Sequence, residues 1–226
     1  MIDRKNTWLV VGIVMAVLVI DQAVKIWVKT HLNYGATIPM LGSERAFIHF
    51  VENEGMAFGK KLDIPYGKLV LSLFRIVAVG FLIYFLRDLL RKADVSRGVL
   101  FSFALILAGA TGNIIDSAFY GLIFSTSYHH GDPAQLFPPE GGYGTFLHGR
   151  VVDMFYFPLF EGTYPDWLPW LGGKPFLFFR PVFNIADVAI TWGVLQVLIF
   201  HRHFFSKPVP EEAPLSTDAD VATEEE

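Results

Sequence analysis

Four stretches of this chain stay apolar long enough to cross a bilayer as helices, for which about 20 mainly apolar residues are needed. They run roughly from Trp8 to Val28, Leu69 to Leu86, Gly98 to Phe119 and Val182 to Phe200. Leu9 to Ile20 carries no polar side chain, so Asp21, Gln22 and Lys25 polarise only one end of the first span. Between the spans the pattern changes. "RAFIHFVENEGMAFG" begins with the partial alternation of a strand and breaks at Asn53 and Gly55 as a turn does. Residues 120–150, with "HHGDPAQLFPPEGGYG", are rich in turn formers and read as an insertion loop. "EGTYPDWLPWLGGKPFLFFRP" sets Trp167, Trp170 and several Phe among prolines and glycines, a composition suited to the membrane interface. The expectation is an all-α membrane protein. Residues 1–200 would form a four-helix transmembrane bundle with a small extracytoplasmic β-sheet or cradle and an outer loop insertion, and 201–226 an acidic, disordered cytoplasmic tail.

Composition agrees with a membrane setting. The 226 residues are 53% hydrophobic and 18% charged, with 22 Phe and a mean hydropathy of +0.42. With no cysteine, disulfides, thiolate metal sites and a cysteine nucleophile are excluded. The net charge of −4 comes from the tail beyond His201, which holds seven acidic and two basic residues. Nothing in the rest resembles a nucleic-acid footprint. A cleaved signal peptide is the alternative for the N-terminus, but Asp21 and Lys25 stand where a small-residue cleavage pattern is needed. Arg87, Arg91, Lys92 and Arg97 crowd the short loop after the second span, and Arg4 and Lys5 precede the first. By the positive-inside rule both termini and that loop are cytoplasmic, leaving 29–68 and 120–181 outside.

Polar residues gather at one depth. Asp21 and Lys25 are four apart on one helical face, Asn113 and Asp116 are three apart after the small-residue run "AGATG", and Asn184 and Asp187 are three apart near the outer end of the last span. Intramembrane ionisable residues tend to face the protein interior and mark function. Each also has a plain structural reading: Asp21 with Lys25 as an ion pair tying the bundle, Asp116 as a cap, and Arg75 snorkelling to headgroups or pairing with a loop carboxylate. "HH" beside Asp132 is weak evidence for a metal, and no metal or cofactor is expected. Asp153, in "GRVVDMFYF", adds a carboxylate in an apolar setting. Two carboxylates sharing a water can share a proton near neutral pH, one taking a proton from water while the other donates to an amide carbonyl.

The stretches "DQAVK" (21–25), "NEGMAFG" (53–59), "GATGNIID" (109–116), "GRVVDM" (149–154) and "FNIAD" (183–187) closely resemble the signal peptidase II family of bacterial membrane aspartic proteases. The resemblance covers roughly residues 8–200. It implies that Asp153 and Asp187 are the catalytic pair, cleaving a signal peptide just before a diacylglyceryl-modified cysteine. It also implies that Asn53, Gly55, Asn113, Asp116 and Asn184 surround the site, with Asp21 and Lys25 in support. The implied partners are diacylglyceryl-modified prolipoprotein precursors and membrane lipid, with no nucleic acid. The implied protein is a monomer in the bacterial cytoplasmic (inner) membrane.

Two departures stand out. Relatives commonly carry arginine directly after the third-span aspartate, where this chain has Ser117, and a serine supplies neither the charge nor the forked donors. Arg150 is the candidate substitute, three residues before Asp153. Asp116 and Asp153 are also unusually far apart in sequence, so the insertion is expected to decorate the outer face. Competing readings are a transporter, which would distribute polar residues through the full membrane depth, and a noncatalytic assembly protein using its carboxylates as glue.

Overall fold

The computed structural model describes residues 3–54, 66–92 and 95–205. Gly55 and the tail from residue 206 lie outside the described residues. Helix α1 spans Arg4–His31, α2 Gly67–Leu89 and α3 Arg97–Ile115; a π-helical turn, Asp116–Tyr120, and the single turn α4, Gly121–Ile123, continue α3. Helix α5 spans Ile185–Phe200. Arg4–His31, Gly67–Leu89 and Arg97–Ile123 are each long and apolar enough to cross a membrane, whereas α5 has 16 residues.

Local chemistry sets the boundaries. The Asp3 side chain accepts from the Lys5 amide at the start of α1, and Ser96 accepts from the Val99 amide at the start of α3. The fourth span was expected from Val182, but the helix begins later. Val182 and Phe183 form a short strand, and Asn184 with Asp187 makes a capping box, each side chain bonded to the other's backbone amide. An apolar run by itself does not separate a buried strand from a helix.

The centre of the bundle is α3, and its small residues let its neighbours close in. A Cβ on Gly109 would lie 2.2 Å from the Ala186 carbonyl oxygen, and one on Gly193 would lie 2.6 Å from the Ser102 carbonyl oxygen. The α3–α5 backbones therefore approach as small-residue membrane interfaces do. On α1, by contrast, Trp8, Met15 and Val19 point outward, as do Phe74, Val77 and Phe81 on α2, the surface expected to face lipid.

Six strands follow in chain order: β1 Thr37–Pro39, β2 Phe47–Asn53, β3 Val151–Tyr156, β4 Phe160–Thr163, β5 Pro175–Phe178 and β6 Val182–Phe183. The first sheet is antiparallel in the order β1-β2-β3-β6, with Val51 opposite Asp153 and Phe155 opposite Phe183. The second is the β4–β5 hairpin, whose linking loop exposes Trp167 and Trp170. Segment 124–150 folds back along 117–124. Gly149 donates to the Ser117 carbonyl, Gly144 to that of Gly121, Tyr143 to that of Phe124 and Phe137 to that of Ile123.

One apolar cluster, around Leu89, Leu100, Phe103 and Val197, fills the bundle away from the sheet. Another, around Val28, Phe50, Tyr120, Phe124 and Met154, joins the bundle to the sheet. Both ends of the described chain lie at the first of these. The Asp3 amide donates to the Leu90 carbonyl, and Phe204, in the 3-10 turn Arg202–Phe205, packs on Phe85 and Phe103.

Candidate active site

Between the two apolar clusters, α1, α3, β3 and α5 turn polar residues toward one another. Lys25 is fully buried. Its Nζ lies 2.9 Å from Asp21 Oδ2, 2.9 Å from Asp116 Oδ2 and 2.9 Å from Asn113 Oδ1. Gln22, one residue past Asp21, donates to Asp116 Oδ1 at 2.9 Å and accepts from the Tyr120 hydroxyl at 3.1 Å. A buried ammonium is tolerated only when paired and hydrogen-bonded, and this one has both kinds of partner.

The two aspartates of this network also hold backbone. Asp116 Oδ2 accepts from the Val152 amide at 3.2 Å, and Asp21 Oδ1 accepts from the Ala186 amide at 2.9 Å. Those amides immediately precede Asp153 and Asp187. The α1–α3 ion-pair network thus fixes the backbone at both positions.

Asp153 and Asp187 meet around Asn184. The Asn184 side chain donates to Asp153 Oδ1 at 2.7 Å and to Asn113 Oδ1 at 3.2 Å. Asp187 accepts from the Asn113 side chain at 2.9 Å and from the Asn184 backbone amide at 3.2 Å. Asn53, at the end of β2, donates to Asp153 Oδ2 at 3.3 Å. Asp153 is buried and Asp187 half-buried. Burial, and then the Asp187 carboxylate beside it, push the Asp153 carboxyl up to about 7, against the opposing hydrogen bonds from Asn53 and Asn184. Two carboxylates so placed can hold one proton between them near neutral pH.

A cavity of about 800 Å³ opens over Asp153, lined also by Glu52, Asn53, Ser127, His129 and Arg150. The insertion therefore forms part of the wall over the site. Glu52 anchors this wall. It pairs with Lys29 of α1, accepts from Ser127 at 2.9 Å and binds Arg150 Nη1 at 3.1 Å. Arg150 also lies over the Tyr143 ring. The guanidinium that reaches Ser117 belongs to Arg75, whose Nη1 is 3.4 Å from the Ser117 hydroxyl. Among the described residues no group of three or more His, Asp or Glu could hold a metal ion, and His129 packs edge-on against Tyr34.

The structure thus brings Asp21, Lys25, Asn53, Asn113, Asp116, Asp153, Asn184 and Asp187 into one connected cluster, with Arg150 on the cavity wall and Gly55 outside the described residues. Sequence reasoning did not single out Gln22, Lys29, Glu52 or Tyr120 as part of it. Gln22 had a signal, as a second polar residue beside Asp21 in an apolar helix. Lys29 and Glu52 had none, because their pairing joins segments whose contact only the fold creates.

This geometry has relatives. The family model for Signal peptidase (SPase) II matches residues 13–204, a span holding every residue of the cluster. A lipoprotein signal peptidase from Porphyromonas gingivalis (strain ATCC 33277) is 54% identical over 190 residues, covering 84% of this chain and 81% of that protein. Another, from Amoebophilus asiaticus (strain 5a2), is 36% identical over 220 residues, covering 96% of this chain and 88% of that one. A bacterial membrane enzyme solved by the in meso method at 2.3 Å shares the fold, with a TM-score of 0.57 at 21% identity over 90% of this chain and 93% of its own. A second, solved at 1.9 Å, has a TM-score of 0.55 at 23% identity, covering 85% of this chain and 91% of its own. With the family model matched across residues 13–204 and relatives this similar over most of their length, the chain belongs to the signal peptidase II family.

Proposed function

We propose that this membrane peptidase removes the signal peptide from diacylglyceryl-modified prolipoproteins, cutting just before the lipidated cysteine, with Asp153 and Asp187 as its catalytic pair. The observation that carries the assignment is the sharing of Asn184: its side chain donates to the Asp153 carboxylate and accepts from the Asp187 amide, while its backbone amide donates to the Asp187 carboxylate.

The pair enters the reaction with one proton between its members. The ionised carboxylate takes a proton from water as the oxygen attacks the peptide carbonyl, and the protonated one donates to the carbonyl oxygen, giving a neutral tetrahedral diol. Return of a proton to the amide nitrogen breaks the C–N bond. The released amine and acid leave the pair with its single proton restored. Asn53, Asn113 and Asn184 are amides and keep neutral donors on the carboxylates throughout. Acyl chains of the modified cysteine would stay in the bilayer against the apolar faces of the helices, which places the bond before that cysteine at the polar layer.

The membrane is the bacterial inner membrane, crossed several times. The site belongs near its outer face and both termini on the cytoplasmic side. The four cations between residues 87 and 97 support that orientation, because their loop lies at the end of the bundle opposite the sheet. The enzyme acts as a monomer on this reading, since one chain supplies both carboxylates.

The test is turnover of a diacylglyceryl precursor by Asp153→Asn and Asp187→Asn in membranes. Each variant should express and fold while losing at least about 10³-fold in kcat. Normal processing by either would end the assignment of that residue.

A further inference from the structure

The polar cluster holds four carboxyl groups, those of Asp21, Asp116, Asp153 and Asp187, and one buried lysine, Lys25. Asp21 and Asp116 both lie on Lys25, so that ammonium is already shared by two carboxyl groups. The catalytic pair with one proton adds a negative charge close to them. Uncompensated charge at this depth is costly, so a second cation close by changes how the pair ionises.

Arg75 stands where such a cation is needed. It is half-buried in α2, and the carboxylates that act on its charge are Asp187 of α5, then Asp116 of the π turn and Asp153 of β3. Lys68, two turns earlier in α2, is the like-charged neighbour, and Lys25 also acts on Asp153. The guanidinium rests on the Ser117 hydroxyl, which donates in turn to the Asn113 carbonyl at 3.0 Å. The Asn113 side chain in turn donates to Asp187. Charge and hydrogen bonding thus lead from Arg75 to the catalytic pair by separate routes.

We infer that Arg75 is a positioning residue for the pair: seated on Ser117, it supplies from α2 the positive charge that keeps Asp153 and Asp187 at one shared proton. Arg75 makes no bond to the peptide in this role. It acts through the ionisation of the two carboxylates, and Ser117 is its seat. The geometry also says where else the charge could come from. Residue 117 is already within hydrogen-bond reach of the guanidinium, so an arginine there could deliver its own fork to the same space.

This inference rests on the catalytic reading of Asp153 and Asp187, and its test separates the two. Full-length enzyme in proteoliposomes would be assayed on a diacylglyceryl precursor as wild type, Arg75→Ala, Arg75→Lys, Arg75→Ala/Ser117→Arg, Asp153→Asn and Asp187→Asn, with thermal unfolding followed in parallel. Arg75→Ala should lose about 10- to 100-fold in kcat with KM within about two-fold. The acid limb of its pH–rate profile should move to higher pH, because a nearby cation favours the ionised carboxylate and its removal does the reverse. Arg75→Lys should recover part of the loss, and the double variant most of it together with the original pH profile.

Wild-type kcat and pH profile in Arg75→Ala would overturn the inference. So would an equal loss in all three folded variants with the pH profile unmoved, the mark of a merely structural residue. Should Arg75→Ala fail to fold, Arg75→Gln with and without Ser117→Arg is read by the same criteria. Normal turnover in either aspartate variant would sink the catalytic reading itself. Inactive aspartate variants beside an unaffected Arg75→Ala would sink only the inference about Arg75.

Discussion

Two pairs of carboxylates lie side by side in this protein and differ in what holds them. Asp21 and Asp116 share a buried lysine and also bind Gln22. Asp153 and Asp187 are held by amides, from Asn53, Asn113 and Asn184. A lysine fixes a charge, whereas an amide fixes a position and leaves the charge free to change. The first pair also anchors the backbone one residue before each member of the second, so the lysine-held pair locates the amide-held one. On the proposed function, the same residue type at one depth serves as scaffold or as chemistry according to its neighbours.

The contrast breaks first at Lys25. Lys25→Met leaves Asp21 and Asp116 buried beside each other without their cation, and removing one partner of a buried ion pair costs about 3–5 kcal/mol. Thermal unfolding in detergent should show the loss, with activity falling because the backbone before Asp153 and Asp187 is released. Asp21→Asn/Lys25→Met/Asp116→Asn removes the charges together and should recover a substantial part of the stability. If the triple variant is no better than Lys25→Met, the network is held by packing rather than by charge.

Much of this architecture is legible along the chain, and the parts that are not have physical reasons. The first three spans follow from long apolar runs. The start of the fourth does not, because Val182 and Phe183 are as apolar as the helix after them while pairing with β3. The Asn184–Asp187 spacing looks like a polar pair inside a span and is in fact the cap that begins it. Polar residues sharing one depth point to the cluster, and motif resemblance draws in Asp153, which no helical spacing connects to the others. The insertion reads as decoration because backbone bonds from an irregular loop leave no residue pattern. Only the fold shows it bonded along 117–124 and lining the cavity over Asp153. Arg75 and Arg150 reverse places for a similar reason. Nearness in sequence to Asp153 favoured Arg150 as the stand-in at Ser117, whereas Arg75 of α2, 42 positions before Ser117, supplies the guanidinium.

A smaller effect sharpens the contrast through pH. The Asp153 carboxyl titrates at about 7 in the folded protein against an ordinary value of 3.8. The folded state therefore binds the proton more tightly than the unfolded chain. Its stability falls as pH rises from about 4 to about 7, and the whole penalty is present above that range. Asp153→Asn removes the penalty. Its midpoint should exceed that of wild type by a few degrees at pH 8 and by less at pH 5. A stability difference between the two proteins that stays constant with pH across this range would show that the Asp153 carboxyl is not held above its ordinary value.

The smallest expected change lies on the cavity wall. Arg150 is partly exposed, and its partner Glu52 keeps Lys29 and Ser127 when the arginine is gone. A partly exposed ion pair whose anion remains satisfied contributes little, within about 1 kcal/mol. Arg150→Ala should therefore fold normally and lose only about two- to five-fold in kcat/KM, on the same energy scale. Lys174→Ala, at an exposed position in the β4–β5 hairpin, should be indistinguishable from wild type in the same membrane preparation. Equal, negligible effects would remove Arg150 from the account of the site. A loss as deep as that of Arg75→Ala would mean that the wall, rather than α2, carries the charge on which the proposed catalytic pair depends.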